Sequence, residues 1–582
     1  MMIDKLKEHI WIPEKIKKLQ GLLMVIAALW MTVMVLLLMP QIRLFVFAVV
    51  EKFLLGRPLG NPSWSQKLFL SGLAGLCTPL VFFLSFVLII KKPQYFVNEK
   101  ARIAGIVLIA VSTVFIVWVG MYKAEWLLGD DSTFIATTAV NEWLPPNPMV
   151  NGRFWPIGQF HYNILVPLFR LLNKPEIPAS AHLLVNGFIY ALAVWFLYKL
   201  FGAIGPEKKH YFVPVLFLCI FPLFSVAFIP VFMDVIYSET ILTLLLSAFM
   251  FFYYKAINTK KTVYYIAALL AAVYSTYAKE PVFGVFVIIG LTNFLFGFKP
   301  EARKDLIFNG ILLLNAMVFI VLYYFLSYKN ASKIYNVGLV EQNVVQSIFI
   351  ILINNKFLIL VLIAFFIRVF FVMVKKDRER LFSDALLFAS VGYTVAYILL
   401  HLTTAYYFFP AVLLALPSFV YWAKKLLGNK NKFYAITLLF PLVLICALNL
   451  GEEIIAAKDL LKERQNTMPF VKELIADYES GKTLYWYEID DLDAKNQIYQ
   501  ISRDWQKEVI NLFCNYVNRT TDKKYLSESS EMPSLSEDVV FLYCKQNAHF
   551  APISDDLRNL LQDHDFVLLV DFFGILVYKK DI

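Results

Sequence analysis

Long apolar runs alternate with short charged segments along the first 450 residues. A helix needs roughly 20 apolar residues to cross a bilayer, and about thirteen runs approach that length. They lie at 21–39, 68–90, 103–121, 181–201, 211–232, 235–255, 262–278, 281–298, 306–328, 347–374, 384–400, 403–421 and 433–450. The stretches 42–55 and 160–172 are too interrupted or too short to span, so they are predicted to lie at the membrane interface. The pattern predicts a polytopic α-helical membrane protein with its transmembrane domain over 21–450.

Lysine and arginine cluster in alternate loops between these runs. The clusters are Lys5–Lys18, Lys91–Arg102, Lys208–Lys209, Lys255–Lys261, Lys299–Lys304, Lys375–Arg380 and Lys424–Lys432. By the positive-inside rule these loops are cytoplasmic, although Arg43, Lys52 and Arg57 in the first outer loop depart from it. The assignment predicts a cytoplasmic N-terminal segment, 1–20, and a C terminus on the outer side.

Composition agrees with a membrane protein. The chain is 59% hydrophobic and 17% charged, and its mean hydropathy is +0.63. A soluble globular protein carries roughly 25% charged and 45–50% apolar residues. The net charge of +10 is explained by the loop clusters, so no nucleic-acid partner is expected. The five cysteines show no metal-ligand spacing.

The region 451–582 differs from the rest because it carries many charges and no spanning run. Residues 452–478 are predicted to form one or two amphipathic helices. Strands are predicted at Thr483–Ile489, Asp538–Cys544, Phe566–Val570 and Gly574–Tyr578, and helices at Gln497–Tyr516 and Ser554–His564. These elements predict a small α/β domain outside the membrane, on the side opposite the lysine clusters.

Cys514 and Cys544 both belong to this predicted outer domain. In an oxidising compartment they can pair as a disulfide. The alternative is that they are two unpaired thiols in the domain core.

Two adjacent acids, Asp130 and Asp131, follow the apolar run 103–121 and begin an outer loop, 123–180. One acid is explained by helix capping, since Asp131 or Ser132 can accept hydrogen bonds from the first turn of a helix over 133–140. A carboxylate at the membrane surface can also act as general base toward a hydroxyl. Two neighbouring acids can bind a divalent cation, which is the one cofactor that the pattern suggests.

The same loop carries Arg153, in Asn151-Gly152-Arg153, and His161, in Gln159-Phe160-His161-Tyr162. The donors of Arg153 suit a phosphate group. The alternative is an arginine that reaches lipid headgroups from an apolar surface.

Charged residues also stand at the outer ends of later runs. Asp234 and Glu239 flank the start of the run 235–255, where a carboxylate is favourable at a helix N-terminus or can contact a sugar or cation. Lys279 and Glu280 precede Pro281, and either form a surface pair with each other or bind substrate. Arg368 is predicted to extend to the cytoplasmic side, and His401 to be an interfacial histidine.

These motifs together resemble the GT-C superfamily of membrane glycosyltransferases. The resemblance rests on the early helix that ends in Asp130-Asp131, the outer loop with Gly152-Arg153-Phe154, Tyr237-Ser238-Glu239 at a helix start, and the polar C-terminal region. Within the superfamily the chain is most similar to bacterial O-antigen glucosyltransferases and aminoarabinose transferases. One departure is that the acids follow the third predicted helix, where the family has them after the first. An additional N-terminal pair of helices preserves sidedness and accounts for the difference.

The resemblance implies a transferase of the bacterial inner membrane. Its donor is a sugar on a polyprenyl-phosphate carrier, and its acceptor is a glycan, lipid or protein on the outer side, with inversion at the sugar carbon. Asp130 is then the base, Asp131 its companion, and Arg153 and Lys279 candidates for the carrier phosphate, with His161, Asp234, Glu239 and Glu280 as further substrate contacts. The alternatives are a transporter or flippase for polyprenyl-linked glycans, and a glycan polymerase or ligase. A transporter is disfavoured because no repeat is visible and the ionisable groups stand at helix ends.

Overall fold

A computed structural model describes residues 99–580 apart from several short gaps. The gaps are 130, 146–152, 206–211, 298–302, 331–343, 401, 428–431, 487–496, 528–537, 545–562, 564 and 573–574. The predicted runs 21–39 and 68–90, the predicted interfacial stretch 42–55, and most of the predicted helix Ser554–His564 lie outside the described residues. Asp130 and His401 also fall outside them.

Helices account for most of the described chain before the C-terminal region. They are α1 (Glu99–Met121), α2 (Ser132–Ile135), α3 (Leu165–Leu171), α4 (Ala179–Ala203), α5 (Phe212–Cys219), α6 (Phe228–Met233), α7 (Glu239–Thr259), α8 (Thr262–Ala278), α9 (Val282–Gly297), α10 (Arg303–Leu326), α11 (Val344–Asn354), α12 (Phe357–Met373), α13 (Leu381–Leu399), α14 (Phe409–Leu427) and α15 (Lys432–Glu479). Short 3₁₀ turns lie between some of them.

Five of the described segments are long and apolar enough to cross a membrane: Ala179–Ala203, Glu239–Thr259, Arg303–Leu326, Leu381–Leu399 and Ala405–Lys425. Four shorter apolar helices pack beside them, at Gly105–Met121, Thr262–Ala278, Val282–Gly297 and Phe357–Met373. The prediction of a helical, multi-pass membrane protein is therefore confirmed. The total of about thirteen spans and the orientation of the termini stay predictions.

Two predicted spans are wrong as single helices. The run 211–232 divides into α5, a 3₁₀ turn at Phe221–Phe224, and α6. Pro222 lies in the 3₁₀ turn after α5, and proline removes a backbone donor and disfavours helix in the residue before it. The run 347–374 divides into α11 and α12 at Asn355, whose carbonyl accepts the N–H of Leu358 at 2.9 Å.

A third prediction is wrong in the opposite sense. The run 433–450 and the predicted amphipathic helices of 452–478 form one helix, α15, of 48 residues. Proline is present within α15 at Pro441 and Pro469 but does not end it. A single helix therefore runs from the bundle into the C-terminal region, which fixes the side chains of its second half relative to the membrane helices.

The two ends of the bundle differ in charge. Lys260 pairs with Asp305 at 2.5 Å where α7 ends and α10 begins. The described Lys and Arg residues of 375–380 and 424–425 lie at the same end, since α13 begins and α14 ends there. Asp131, Asp234 and Lys279 stand at the opposite helix ends, which places the candidate site away from the basic clusters.

The C-terminal region forms a five-stranded sheet with one long helix, α16 (Gln497–Asn518). The strands are β1 (Thr483–Trp486), β2 (Leu526–Ser527), β3 (Val539–Cys544), β4 (Phe566–Phe572) and β5 (Ile575–Lys580), in the order β2-β1-β3-β5-β4. β1 is parallel to β2 and β3, whereas β5 is antiparallel to β3 and β4. Strands thus lie at the four predicted places, and β2 was not predicted. Cys514 is a buried free thiol, so the unpaired alternative holds for it.

The sheet domain shares a core with the outer loop. Trp126, Leu128 and Phe134 of the loop belong to one buried cluster with Val509 and Phe513 of α16. Glu176 of the loop also forms an ion pair with Arg519 and accepts a hydrogen bond from Tyr516 at 3.3 Å. The acidic loop is therefore enclosed between the helix bundle and the C-terminal domain.

Candidate active site

Two acids from distant parts of the chain form a pair at the end of the bundle opposite the basic clusters. Asp131 is 2% exposed and shares a side-chain hydrogen bond with Asp234, which follows α6 directly. Burial and the negative charge of Asp234 raise the pKa of Asp131 well above its ordinary value. Burial also raises the pKa of Asp234. Two adjacent carboxylates resist double ionisation, which favours a form of the pair in which one member is protonated.

The capping interpretation of Asp131 is wrong. Asp131 stands directly before α2, but its side chain makes no cap hydrogen bond to that helix. Its Oδ2 instead accepts the N–H of Leu127 at 2.7 Å, on the preceding side of the turn. Gly129 within this turn has φ of 135°, a conformation that favours glycine. The turn therefore directs the carboxyl inward, toward Asp234.

Polar groups of α4 and the outer loop hold the Asp234 segment in place. The Tyr162 hydroxyl lies 2.7 Å from the Val235 carbonyl oxygen and 2.6 Å from Asn186 Oδ1, and its single proton is available to either acceptor. Asn186 Nδ2 donates in turn to the carbonyl of Asp234 at 2.9 Å. The Gln159 amide donates to the Ile236 carbonyl at 2.5 Å. These bonds fix the backbone on both sides of the Asp234 side chain.

Helix α15 brings two ionisable residues close to the acid pair. Glu463 is half-buried, and burial together with the charge of Asp234 raises its pKa to about 8. Arg464 is 3% exposed, and its positive charge opposes the upward shift in the pKa of Asp234. Neither residue was predicted, because Glu463 and Arg464 lie among many charges in 452–478 and no local pattern separates them from solvated neighbours.

A second cluster consists of two ion pairs. Lys279 Nζ lies 2.8 Å from Glu239 Oε1, and both side chains are buried. Arg153 Nε lies 2.7 Å from Glu280 Oε1, and the side chains are 18% and 15% exposed. Burial is the largest single influence and lowers the Arg153 pKa, but the charge of Glu280 and its hydrogen bond, with smaller contributions from Tyr407 and Tyr397, together raise it. Lys279 and Glu280 are adjacent yet pair with other partners, so the predicted pair between them does not form.

Aromatic rings surround the ammonium group of Lys279. Its Nζ lies 5.0 Å from the ring centre of Tyr407, 5.8 Å from Trp155 and 5.9 Å from Tyr406. Such contacts stabilise a cation where water is excluded. Trp155 belongs to the outer loop, and the two tyrosines belong to the segment before α14. These two segments therefore cover the ion pair of Lys279.

One stretch of the outer loop, 153–163, connects the two clusters. At its start Phe154 N–H donates to Glu280 Oε1 at 2.9 Å, and near its end Tyr162 bonds beside Asp234. Gly158 lies at the closest approach, because a Cβ there would be 2.6 Å from Trp155 Cε3 and 2.8 Å from the carbonyl of Ala278. The acid pair and the ion pairs therefore both contact this stretch of the outer loop.

His161 lies in this stretch and stacks on Tyr162, with ring centres 4.1 Å apart. Its two ring nitrogens are buried without hydrogen-bond partners among the described residues. Burial lowers the pKa of His161 to about 3, so the ring is neutral at physiological pH. A neutral imidazole supplies polar or stacking contacts and contributes no charge for a phosphate.

Arg368 lies at the opposite end of the bundle, beside the basic segment predicted to be cytoplasmic, but its guanidinium is buried in ion pairs and does not extend into solvent. It is 1% exposed, and its Nε and Nη2 donate to the two carboxylate oxygens of Asp384, each at 2.7 Å. Its Nη1 donates to Asp377 at 2.9 Å. The residue ties α12 to α13 and is not part of the site.

The predicted site residues that the structure describes thus meet at one end of the bundle. Asp131 and Asp234 form the acid pair, Arg153, Glu239, Lys279 and Glu280 form the ion pairs, and His161 lies on the stretch between them. Among the described side chains no group of three His, Cys, Asp or Glu residues is arranged to hold a metal ion. The cation alternative at Asp130 and Asp131 stays untested, because Asp130 lies in a gap.

Comparison with known proteins gives structural similarity at low sequence identity. The chain is similar to ArnT from Cupriavidus metallidurans bound to undecaprenyl phosphate, with a TM-score of 0.43 and 12% identity over 81% of this chain and 97% of that one. The apo state of the same protein gives a TM-score of 0.42 and 11% identity over the same shares. No family model matches the chain, and no curated protein matches it.

Proposed function

We propose that the protein is a membrane glycosyltransferase that takes a sugar from a polyprenyl-phosphate carrier and transfers it to a hydroxyl of a glycan, lipid or protein. The observation that carries the proposal is the acid pair Asp131–Asp234, which is buried beside two ion pairs at the outer helix ends. A carrier lipid presents its phosphate at the same level of a membrane, where the helices end.

The acid pair supports the acceptor half of the reaction. The acceptor oxygen attacks the sugar carbon from the side opposite the phosphate, and its proton moves to a carboxylate. The new bond to the acceptor oxygen forms as the bond from the sugar carbon to the phosphate oxygen breaks, which inverts the carbon. Asp130 is the proposed base. The role proposed for the hydrogen-bonded pair Asp131–Asp234 is to hold the loop that carries Asp130.

The ion pairs support the donor half. The departing polyprenyl phosphate gains negative charge in the transition state, and fixed positive groups aimed at it lower the barrier. Arg153 and Lys279 are the proposed phosphate contacts. Each is held by a carboxylate, Glu280 or Glu239, so the four residues together carry no net charge. Phosphate binding then requires the cations to exchange part of their contact with the glutamates for contact with the ligand.

The proposal is tested by Asp130→Asn in purified protein supplied with a polyprenyl-phosphate sugar. Loss of a general base typically lowers the rate by about 10²–10⁴-fold, so kcat should fall by that order while the protein stays folded. Asp305→Asn is the matched control, because Asp305 is an ion-paired acid at the opposite end of the bundle. Transfer by the Asp130 variant at the wild-type rate excludes Asp130 as the base. A wild-type protein that moves the glycan across vesicles without covalent transfer excludes the enzyme.

A further inference from the structure

One arginine connects the two helix ends that lead into the acid pair. Arg464 of α15 is buried, and its Nη1 donates to the carbonyls of Gly120 at 2.9 Å and Tyr122 at 3.2 Å, where α1 ends. Its Nη2 donates to the carbonyl of Met233, the last residue of α6. The last carbonyls of a helix have no partner within the helix, and a cation there also complements the helix dipole.

Each of these two helix ends leads into an acidic segment of the candidate site. The chain leaves α1 and reaches Asp131 ten residues after Met121, and it leaves α6 directly into Asp234. A guanidinium group is a rigid planar fork that can donate in several directions at once. Arg464 therefore sets the distance between two segments that are about a hundred residues apart in the chain, as the numbers of Asp131 and Asp234 show.

The same helix also holds the other end of α6. Glu453 accepts the N–H groups of Phe228 at 3.1 Å and Ile229 at 3.2 Å, where α6 begins. Eleven residues separate Glu453 from Arg464, which is about 16 Å along a straight helix. Helix α15 therefore hydrogen-bonds to α6 at both of its ends. Any movement of α6 along α15 would break the bonds of Glu453 and those of Arg464.

We propose that Arg464 is a positioning residue that brings the carboxyl groups of Asp131 and Asp234 together by bridging the ends of α1 and α6. This inference rests on the proposed transferase function, in which that pair supports the catalytic loop. Arg464 touches neither the substrate nor the reacting atoms in this scheme. It acts through the two backbone segments that it holds.

The chain offers a matched control for the structural part of this role. Lys424 is a second buried cation that binds helix-end carbonyls, since its Nζ donates to Gly202 at 3.2 Å and Ile204 at 2.8 Å, at the end of α4. It lies at the basic end of the bundle, away from the acid pair. Loss of Lys424 therefore removes a comparable cap without altering the distance between Asp131 and Asp234.

The experiment compares Arg464→Met, Arg464→Lys and Lys424→Met in full-length protein. A small misplacement of catalytic groups can cost about 100-fold in rate, so Arg464→Met should lower kcat by that order and leave the KM for the donor unchanged. Arg464→Lys keeps the charge but, as a point charge, reaches only one helix end, so kcat should recover only in part. Lys424→Met should keep the wild-type kcat per folded molecule.

Hydrogen exchange gives a second readout that does not depend on activity. Arg464→Met should accelerate amide exchange in both 127–135 and 231–238, whereas Lys424→Met should accelerate it at the end of α4. The inference is overturned if exchange rises in neither acidic segment or in only one of them. It is also overturned if Arg464→Lys behaves as the wild type or if Lys424→Met lowers kcat equally. If the wild type transfers no sugar, the proposed function fails, and the exchange data alone decide whether Arg464 bridges the two segments.

Discussion

Four charged side chains at the helix ends beside the acid pair form two ion pairs, and within each pair one positive and one negative charge cancel. Lys279 and Glu239 are almost completely buried, and Arg153 and Glu280 are only slightly more exposed. A buried ion pair contributes little net stability compared with an apolar pair, but the loss of one partner leaves a charge without compensation. Such an arrangement is expected where the charges have a use beyond stability, because two apolar side chains would hold the helices as well.

The pairing of Lys279 with Glu239 can be measured by a double-mutant cycle. Lys279→Met and Glu239→Leu should each lower the free energy of unfolding by about 3 kcal/mol, because each leaves an unpaired buried charge. The double variant should lose much less than the sum of the two, since both charges are then absent. Unfolding in detergent, followed by tryptophan fluorescence, gives the three values. Strict additivity contradicts a direct interaction.

The same variants test the phosphate role of Lys279. In Glu239→Leu the ammonium group has no carboxylate, so a polyprenyl phosphate without a sugar should stabilise this variant more than the wild type. It should stabilise Lys279→Met less than the wild type. Equal stabilisation of all three proteins by the lipid removes Lys279 from the phosphate site while leaving its pairing with Glu239 intact.

At the scale of elements, the apolar pattern predicts uninterrupted helices well and interrupted ones poorly. The runs 262–278 and 306–328 correspond closely to α8 and α10. The run 211–232 does not become one helix, because the helix ends just before the turn that contains Pro222 while the hydrophobicity of the run stays continuous. The sequence also fails to predict that α15 is one continuous helix. Its composition changes from apolar to polar at residue 451, but the backbone continues as a helix.

The residues of the candidate site are likewise only partly predictable from the sequence. Asp131 and Glu239 are identified from the sequence because acids are rare at the ends of apolar runs. Their partners, Asp234 and Lys279, are also among the predicted residues, but the sequence does not show which residues pair, because pairing depends on the contacts between elements. Lys279 has an acid beside it in the sequence, Glu280, and pairs instead with Glu239, which lies forty residues earlier. Arg464 is missed because, before the packing is known, an arginine on a highly charged helix is fully explained as a solvent-exposed residue.

The packing of the stretch 153–163 can be tested by Gly158→Ala. A methyl group there meets Trp155 and the carbonyl of Ala278 at distances that real Cβ atoms do not show. Overpacking of this kind typically costs about 1–3 kcal/mol, and the displaced Trp155 should weaken the ring contacts of Lys279. The expected result is a lower melting temperature together with a higher donor KM. Gly310→Ala in α10 is the control, since its added methyl group meets nothing within 4 Å.

For Gly310→Ala the opposite sign is expected. Alanine is favoured over glycine in a helix interior by about 1 kcal/mol, so the control should be as stable as the wild type or more so. A Gly158→Ala protein with unchanged stability and KM means that the loop yields without disturbing the site. The close approach at Gly158 then has no part in donor binding.

At the scale of the whole molecule, the C-terminal domain and the bundle are joined through the site. Phe513 of α16 is fully buried in the cluster that also contains Trp126 and Phe134 of the acidic loop. Helix α15 connects the two parts covalently and carries both Glu463 and Arg464 to the acid pair. The C-terminal domain therefore covers the acidic loop, and the apolar side chains of that loop form part of the core of the domain.

The orientation of this assembly in the membrane is open to a direct test. The described lysine and arginine clusters lie at the helix ends opposite the acid pair, and positive clusters mark the cytoplasmic side. We therefore expect the acid pair and the C-terminal domain to lie outside.

Single cysteines are introduced by Asp522→Cys in that domain and by Lys375→Cys between α12 and α13, after the five native cysteines are replaced. A membrane-impermeant maleimide should label the first site in intact spheroplasts and the second only after lysis. Labelling in the reverse order places the acids in the cytosol, where a carrier loaded on the outer leaflet cannot reach them, and rejects the outer-leaflet form of the transferase proposal. Equal labelling of both sites before lysis indicates leaky spheroplasts, which a cytosolic marker enzyme detects.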